Sequence, residues 1–178
     1  MIVDIEEIYE IFSKITDKYE TPVPIGGRCE SNHYYRTEEL SEDDLNKCAY
    51  YVANRIKNVI NPYYPELFLK LPGGYSFFAE RLTAIYPEID NRVTNVKLEE
   101  YTETKINNGF SETYKGRKAI LVTDVITTAR SSLEAHTKAS LRGIPILCWA
   151  TLIDRTLGPG PVSVVSSFTG APVRVLTR

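Results

Sequence analysis

The spacing of apolar residues changes repeatedly along the chain, and each change predicts an element. Residues 3–19 set Val3, Ile5, Ile8, Ile11, Phe12 and Ile15 two to four positions apart, which predicts an amphipathic helix. Pro22, Pro24, Gly26 and Gly27 then break the pattern. Ser41 opens SEDDLNKCAYYVANRIKNVI, a helix with a serine N-cap, acids in the first turn where the helix dipole favours them, and apolar positions at helical spacing. Asn61-Pro62 ends it. Residues 66–71 (ELFLKL) read as a short buried strand, closed by Pro72-Gly73-Gly74, and residues 75–86 read as another helix. A strand is expected over 92–98. The polar stretch between Leu98 and Gly116 has no clear period. It is too long for a plain connector and predicts a lid or a hairpin.

A β-prone apolar run, Ala119 to Val122, then reaches a lone acid, Asp124. Small hydroxyl residues follow, and a helix is expected over about 130–141, stopped by Arg142-Gly143. Residues 144–153 form a long apolar strand, and two β-rich pieces, 162–168 and 173–176, finish the chain. Strands alternating with helices predict an α/β domain with a mostly parallel sheet. Ligands of such sheets bind outside the carboxyl ends of the strands. Asp124 to Ser132 occupy such an end, on a loop entering a helix whose first N–H groups lack intrahelical partners. With the hydroxyls of Thr127, Thr128, Ser131 and Ser132, the loop suits an anion, above all a phosphate. Asp124 beside it suits sugar hydroxyls or a Mg²⁺ ion. The competing reading makes Thr127 or Thr128 an ordinary helix cap and Asp124 an ordinary acid at a strand end.

Length and composition narrow the class. The 178 residues suffice for one domain, 1–178, with a sizeable core. The formal net charge of −2 argues against a nucleic-acid binder that relies on a general basic field, though not against a local anion site. No uncharged stretch is long enough to span a bilayer, so no membrane partner is expected. Cys29, Cys48 and Cys148 are far apart, without a CxxC pair, which argues against a disulfide framework or zinc site and makes a reducing cytoplasm the expectation. The 12 tyrosines serve as filler or as stacking platforms for a planar ligand.

The stretch VTDVITTARSS (122–132) resembles the PRPP-binding motif of type I phosphoribosyltransferases. Further segments are similar to those of orotate phosphoribosyltransferases. Gly26-Gly27-Arg28 leads to the aromatic pair Tyr34-Tyr35, LPGGYSFF (71–78) falls at the pyrophosphate loop, and residues 97–117 fall at a mobile catalytic loop ending in Gly116-Arg117. Ile153-Asp154-Arg155 matches a Leu-Asp-Arg segment whose arginine contacts orotate. The order holds from about residue 5 to 160. Several charged positions differ from the family. Thr123 replaces the first motif acid, Ala129 the loop glycine, Gly73 the pyrophosphate-loop lysine and Ile25 an early lysine.

The resemblance implies a type I phosphoribosyltransferase-like α/β fold, a central mostly parallel sheet flanked by helices. A small hood would form from about 20–40 and the C-terminal pieces. It implies transfer of the phosphoribosyl group of PRPP to a planar base, orotate, giving orotidine 5′-monophosphate and pyrophosphate with Mg²⁺. PRPP would be held by Gly73, Gly74, Thr123, Asp124, Val125, Ile126, Thr127, Thr128, Ala129, Arg130, Ser131 and Ser132. The base would meet Thr127, Arg155, Tyr34 and Tyr35. Asp124, Lys97 and Lys105 would be catalytic, with Asp124 reaching the metal through water or ribose hydroxyls. His33 is expected at the surface and His136 facing solvent. A cytoplasmic homodimer is implied. The altered positions keep two alternatives open: a PRPP- or nucleotide-binding regulator without catalysis, and a phosphoribosyltransferase for another base.

Overall fold

The computed structural model describes residues 3–24, 30–72, 76–102, 111–154 and 173–177. Helix α1 (Ile5–Lys14) is followed by β1 (Thr16–Pro24) and β2 (Glu30–Tyr35), which pair antiparallel as a separate two-stranded sheet. A 3₁₀ turn, Thr37–Glu39, leads to α2 (Glu42–Ile60). Then come β3 (Leu67–Lys70), α3 (Ser76–Ile89), β4 (Lys97–Glu100), the short α4 (Ser111–Tyr114), β5 (Ala119–Ile126), α5 (Arg130–Leu141), β6 (Ile146–Asp154) and β7 (Val173–Thr177). The main sheet runs β4-β3-β5-β6-β7, and every neighbouring pair is parallel.

The period-two alternation of strands sorts the core into two layers. On β5, Ile120 and Val122 join the layer formed with α1, α2 and α3, while Ala119 and Leu121 face the layer that holds α5. Phe68 and Leu69 divide in the same way on β3, as do Cys148 and Trp149 on β6. A sheet buried on both faces needs near-continuous apolar strands, which is why AILV and ILCWATLI read as they do. Among the described residues no helix is long and apolar enough to cross a membrane.

Several boundaries differ from the sequence expectation, among them the end of the third helix, at Ile89 and not 86, and three have a visible cause. The first helix ends at Lys14, not near residue 19. Beyond Ile15 the apolar stripe stops, the Thr16 hydroxyl donates to the Phe12 carbonyl at 2.5 Å, and Thr16 pairs with Tyr35 instead. The strand expected over 92–98 begins only at Lys97. Asp90 is wholly buried and draws Arg92 into a turn, the guanidinium donating to it at 2.8 and 2.7 Å and to the Pro62 carbonyl at 3.0 Å. The strand expected from 144 begins at Ile146, since Pro145 has no N–H to give a ladder. Residues 162–168 lie outside the described residues.

Candidate functional site

Strand β5 outruns its neighbour. Its ladder with β3 ends at Lys70 opposite Val122, whereas its ladder with β6 continues to Ile126 opposite Asp154. The tip, Thr123–Ile126, therefore carries polar groups at the carboxyl end of the sheet's central strand. Asp124 is half-buried there, and its carboxylate is held by neighbouring donors. The Val125 N–H donates to Oδ1 at 2.8 Å, and the Thr37 hydroxyl to Oδ2 at 3.1 Å. The Thr123 hydroxyl lies 3.5 Å from Oδ1. The Asp124 carbonyl accepts from the Thr151 hydroxyl at 3.0 Å, which ties the tip to β6. Asp154, 4% exposed, closes β6 in register with Ile126 and brings a second acid to this end of the sheet.

Three residues, Thr127 to Ala129, separate the tip from α5. Ala129 takes the left-handed conformation, φ 60° and ψ 1°, as the N-cap of the helix. It is the one described non-glycine residue with positive φ. An alanine in this region costs about 1–2 kcal/mol, because Cβ crowds the following carbonyl. The cap accepts no side-chain hydrogen bond. The first intrahelical bond comes from the Leu133 N–H to the Ala129 carbonyl at 2.9 Å, so the Arg130, Ser131 and Ser132 N–H groups precede the helical ladder. Thr128, Arg130 and Ser131 are exposed, Thr127 is half-buried, and Ala129 and Ser132 are buried. The result is a strained turn delivering uncapped N–H groups and the positive end of a helix dipole beside an acid.

No protein-family model and no curated protein matches the sequence. Solved structures do match. The chain is similar to the orotate phosphoribosyltransferase of Aeropyrum pernix at 14% identity and a TM-score of 0.63, over 96% of this chain and 93% of that one. It is similar to the adenine phosphoribosyltransferase of Leishmania donovani at 12% identity and a TM-score of 0.68, over 98% and 81%. The orotate phosphoribosyltransferase of Mycobacterium tuberculosis, solved in complex with inorganic phosphate, matches at 14% identity and 0.64, over 97% and 94%. The chain has the type I phosphoribosyltransferase fold.

Within this fold the predicted PRPP segment, Thr123 to Ser132, is one continuous strand-turn-helix at the carboxyl end of the sheet. The aromatic pair lies on the two-stranded sheet. Tyr34 is exposed and Tyr35 packs against the main core, and β2 runs on into Thr37, whose hydroxyl meets Asp124. Lys97 is not brought to this group. It opens β4 opposite Leu67, itself opposite Ala119, which is five residues and roughly 16 Å along β5 from Asp124. There its ammonium lies 5.8 Å from the Tyr114 ring, which Arg117 also approaches at 5.9 Å. Burial, then a 2.6 Å bond donated to Glu99, pushes the Tyr114 phenol up to about 12. The segment taken for a mobile loop leaves at Tyr101, bonded to the Lys70 carbonyl at the carboxyl end, and returns through α4 at the amino end. Lys105, Gly73, Gly74 and Arg155 lie outside the described residues.

His136 does not face solvent as expected. It is 7% exposed, and its Nδ1 accepts from the Trp149 indole N–H at 3.1 Å. Burial pulls its pKa below the ordinary imidazole value. Helical spacing places His136 with Ser132, Ala135 and Ala139 on the buried face, a stripe whose small residues gave little hydrophobic signal. His33 is exposed, as expected. Two site residues escaped the sequence reading altogether. Thr37 lies 87 positions from Asp124, and Thr151 sits inside an apolar run; nothing local to either marks a contact with Asp124.

Proposed function

We propose that this protein transfers the phosphoribosyl group of PRPP to orotate, releasing pyrophosphate. The observation that carries the reading is the uncapped start of α5 behind a left-handed Ala129, directly after Asp124. The N–H groups of Arg130, Ser131 and Ser132, with the hydroxyls of Thr127, Thr128 and Ser131, receive the 5′-phosphate. Asp124 accepts from ribose hydroxyls and holds the sugar as C1 gains positive charge. The bond from C1 to the pyrophosphate oxygen breaks with its electron pair leaving on oxygen, and a ring nitrogen of the base forms the new bond to C1 as its N–H proton passes to the departing pyrophosphate. Pyrophosphate is met by Gly73 and Gly74, and the orotate carboxylate by Arg155. Tyr34 and Tyr35 flank the base, and the two-stranded sheet that carries them forms a hood over it; residues 173–177 do not join that hood as expected, because they pair with β6 as an edge strand of the main sheet.

Magnesium fits this donor set only as a companion of the substrate. Among the described residues no three His, Cys, Asp or Glu side chains gather into a metal cage. Mg²⁺ keeps several waters and takes one or two carboxylates plus phosphate oxygens, and Asp124 offers one such carboxylate. Its chemistry, when bound, is neutralisation of the departing pyrophosphate. A homodimer follows from the resemblance, and sedimentation tests it.

Incubation with PRPP, Mg²⁺ and orotate should deplete orotate absorbance and release pyrophosphate in equal amounts. Depletion with adenine or hypoxanthine in place of orotate would move the reading to another base. A second reading has its own support. Thr123 stands where the family carries an acid, which favours a PRPP-binding protein without transfer. In that case calorimetry detects PRPP with Mg²⁺, and no base is consumed. Absence of both binding and turnover would sink both readings.

A further inference from the structure

The bond between Thr37 and Asp124 joins parts of the molecule that the sequence keeps far apart. Thr37 is 3% exposed and begins the 3₁₀ turn that follows β2. The turn is pinned on both sides. The Arg36 N–H donates to the Ile15 carbonyl at 2.9 Å, and the Arg36 guanidinium pairs with Asp17 of β1 at 3.1 Å and with Glu39 at 2.6 Å. On the far side Leu40 is buried in the main core. The Thr37 hydroxyl is thus held from the two-stranded sheet and from the core at once, and it spends its proton on Oδ2 of Asp124.

A carboxylate has about four acceptor positions. Here Oδ1 takes the Val125 N–H at 2.8 Å and the Thr123 hydroxyl at 3.5 Å, and Oδ2 takes Thr37, so donors on both oxygens fix the carboxylate plane before a ligand arrives. A group held this way loses little freedom when a ligand arrives, which is what preorganisation requires. We propose that Thr37 is the positioning residue for Asp124, locking the carboxylate for ribose and coupling it to the hairpin that carries Tyr34 and Tyr35. The inference rests on the phosphoribosyl-transfer reading. It adds a residue outside the PRPP segment and gives the hairpin a direct hold on the sugar end of the site.

The test is a cycle of Thr37→Val, Thr37→Ser, Asp124→Asn and the Thr37→Val/Asp124→Asn double variant, read by kcat and KM for PRPP and by thermal melts. Thr37→Val keeps the shape and removes the donor. It should lower kcat ten- to a hundredfold with a smaller change in KM, and Thr37→Ser should return kcat to within threefold of wild type. In the Asp124→Asn background Thr37→Val should have almost no further effect on kcat, because the group it positions is gone. A merely structural threonine would give the same fold-loss in both backgrounds, tracking the fall in melting temperature, and would overturn the proposal. So would wild-type kcat in Thr37→Val. If wild type binds PRPP without turnover, the same cycle is read in PRPP affinity, and additivity there overturns the proposal. A wild type that neither binds nor reacts removes the underlying reading, and the proposal falls with it.

Discussion

The two ends of α5 are built to opposite rules. At its carboxyl end the Lys138, Ala139 and Ser140 carbonyls are closed. Gly143 takes a left-handed φ of 78°, its N–H donates to the Ser140 carbonyl at 2.9 Å, and the Ile144 N–H reaches back to Ala139 at 3.0 Å. This is the paired pattern that satisfies a helix's last carbonyls, and glycine adopts it without penalty. At its amino end the same backbone region falls to an alanine, whose side chain caps none of the N–H groups. The chain sets glycine at the closed end and accepts strain at the end that follows Asp124. On the proposed reading, strain retained beside an acid and an open helix start belongs to the anion site, whereas the closed end is a structural joint.

Asp124→Asn should separate the two ends most strongly. It removes a charge beside the open end, so transfer activity should fall by about 2–4 kcal/mol of transition-state stabilisation, roughly thirty- to a thousandfold, while the melting temperature moves little. Steady-state kinetics beside thermal melts check both halves. Ala129→Val comes next. A β-branched residue in the left-handed region should destabilise by about 2–3 kcal/mol in urea unfolding, and a neutral result would mean the turn does not hold that conformation. Ala129→Gly sharpens the same point. Relief of about 1–2 kcal/mol is offset by losing a buried methyl worth about 0.8 kcal/mol and by glycine's extra chain entropy, so stability should change by under about 1 kcal/mol.

Gly143→Ala probes the closed end. The left-handed φ, with a new Cβ 3.2 Å from Cγ of Lys115, should cost about 1–2 kcal/mol of stability. Phosphate affinity, measured by calorimetry, should stay as in wild type, and a loss of affinity would break the contrast. The smallest effect concerns His136, midway along the helix. Its folded pKa is lowered by burial, so the unfolded chain binds the proton more readily. Stability should therefore fall as pH drops below the ordinary value near 6.5, by at most about 1.4 kcal/mol per pH unit. Melts between pH 5 and 8 should show this slope in wild type and lose it in His136→Phe.

What the sequence revealed follows the same division between local and distant causes. Ser41 was readable as a cap because its partner is Asp44, three residues on, and the bond is there at 3.1 Å. The limits of α5 were readable from Arg142-Gly143 and from the break at the hydroxyl cluster, and the helix spans Arg130–Leu141 as expected. The tip of β5 was readable because a lone acid ends an apolar run. Distant causes were invisible. The end of α1 depends on Thr16 finding Tyr35, and the late start of β4 on Asp90 holding Arg92. Lys97 looked like part of a catalytic loop, yet strand register set it at the amino end of the sheet. Thr37 gave no signal, since only the folded chain closes the distance to Asp124.

The bond between Trp149 and His136 gives the protein an optical property. Trp149 is the only tryptophan in the chain, so indole emission reports a single place, the seam where α5 rests on β6. One turn above His136 on that helix is Ser132, in the stretch that would receive the anion. Seating of an anion that tightens or shifts α5 would alter how the imidazole meets the indole, and a fluorimeter would then follow occupancy of the loop with no label attached. Titration with inorganic phosphate, followed at the indole's emission maximum, would give a binding curve from the native chain alone.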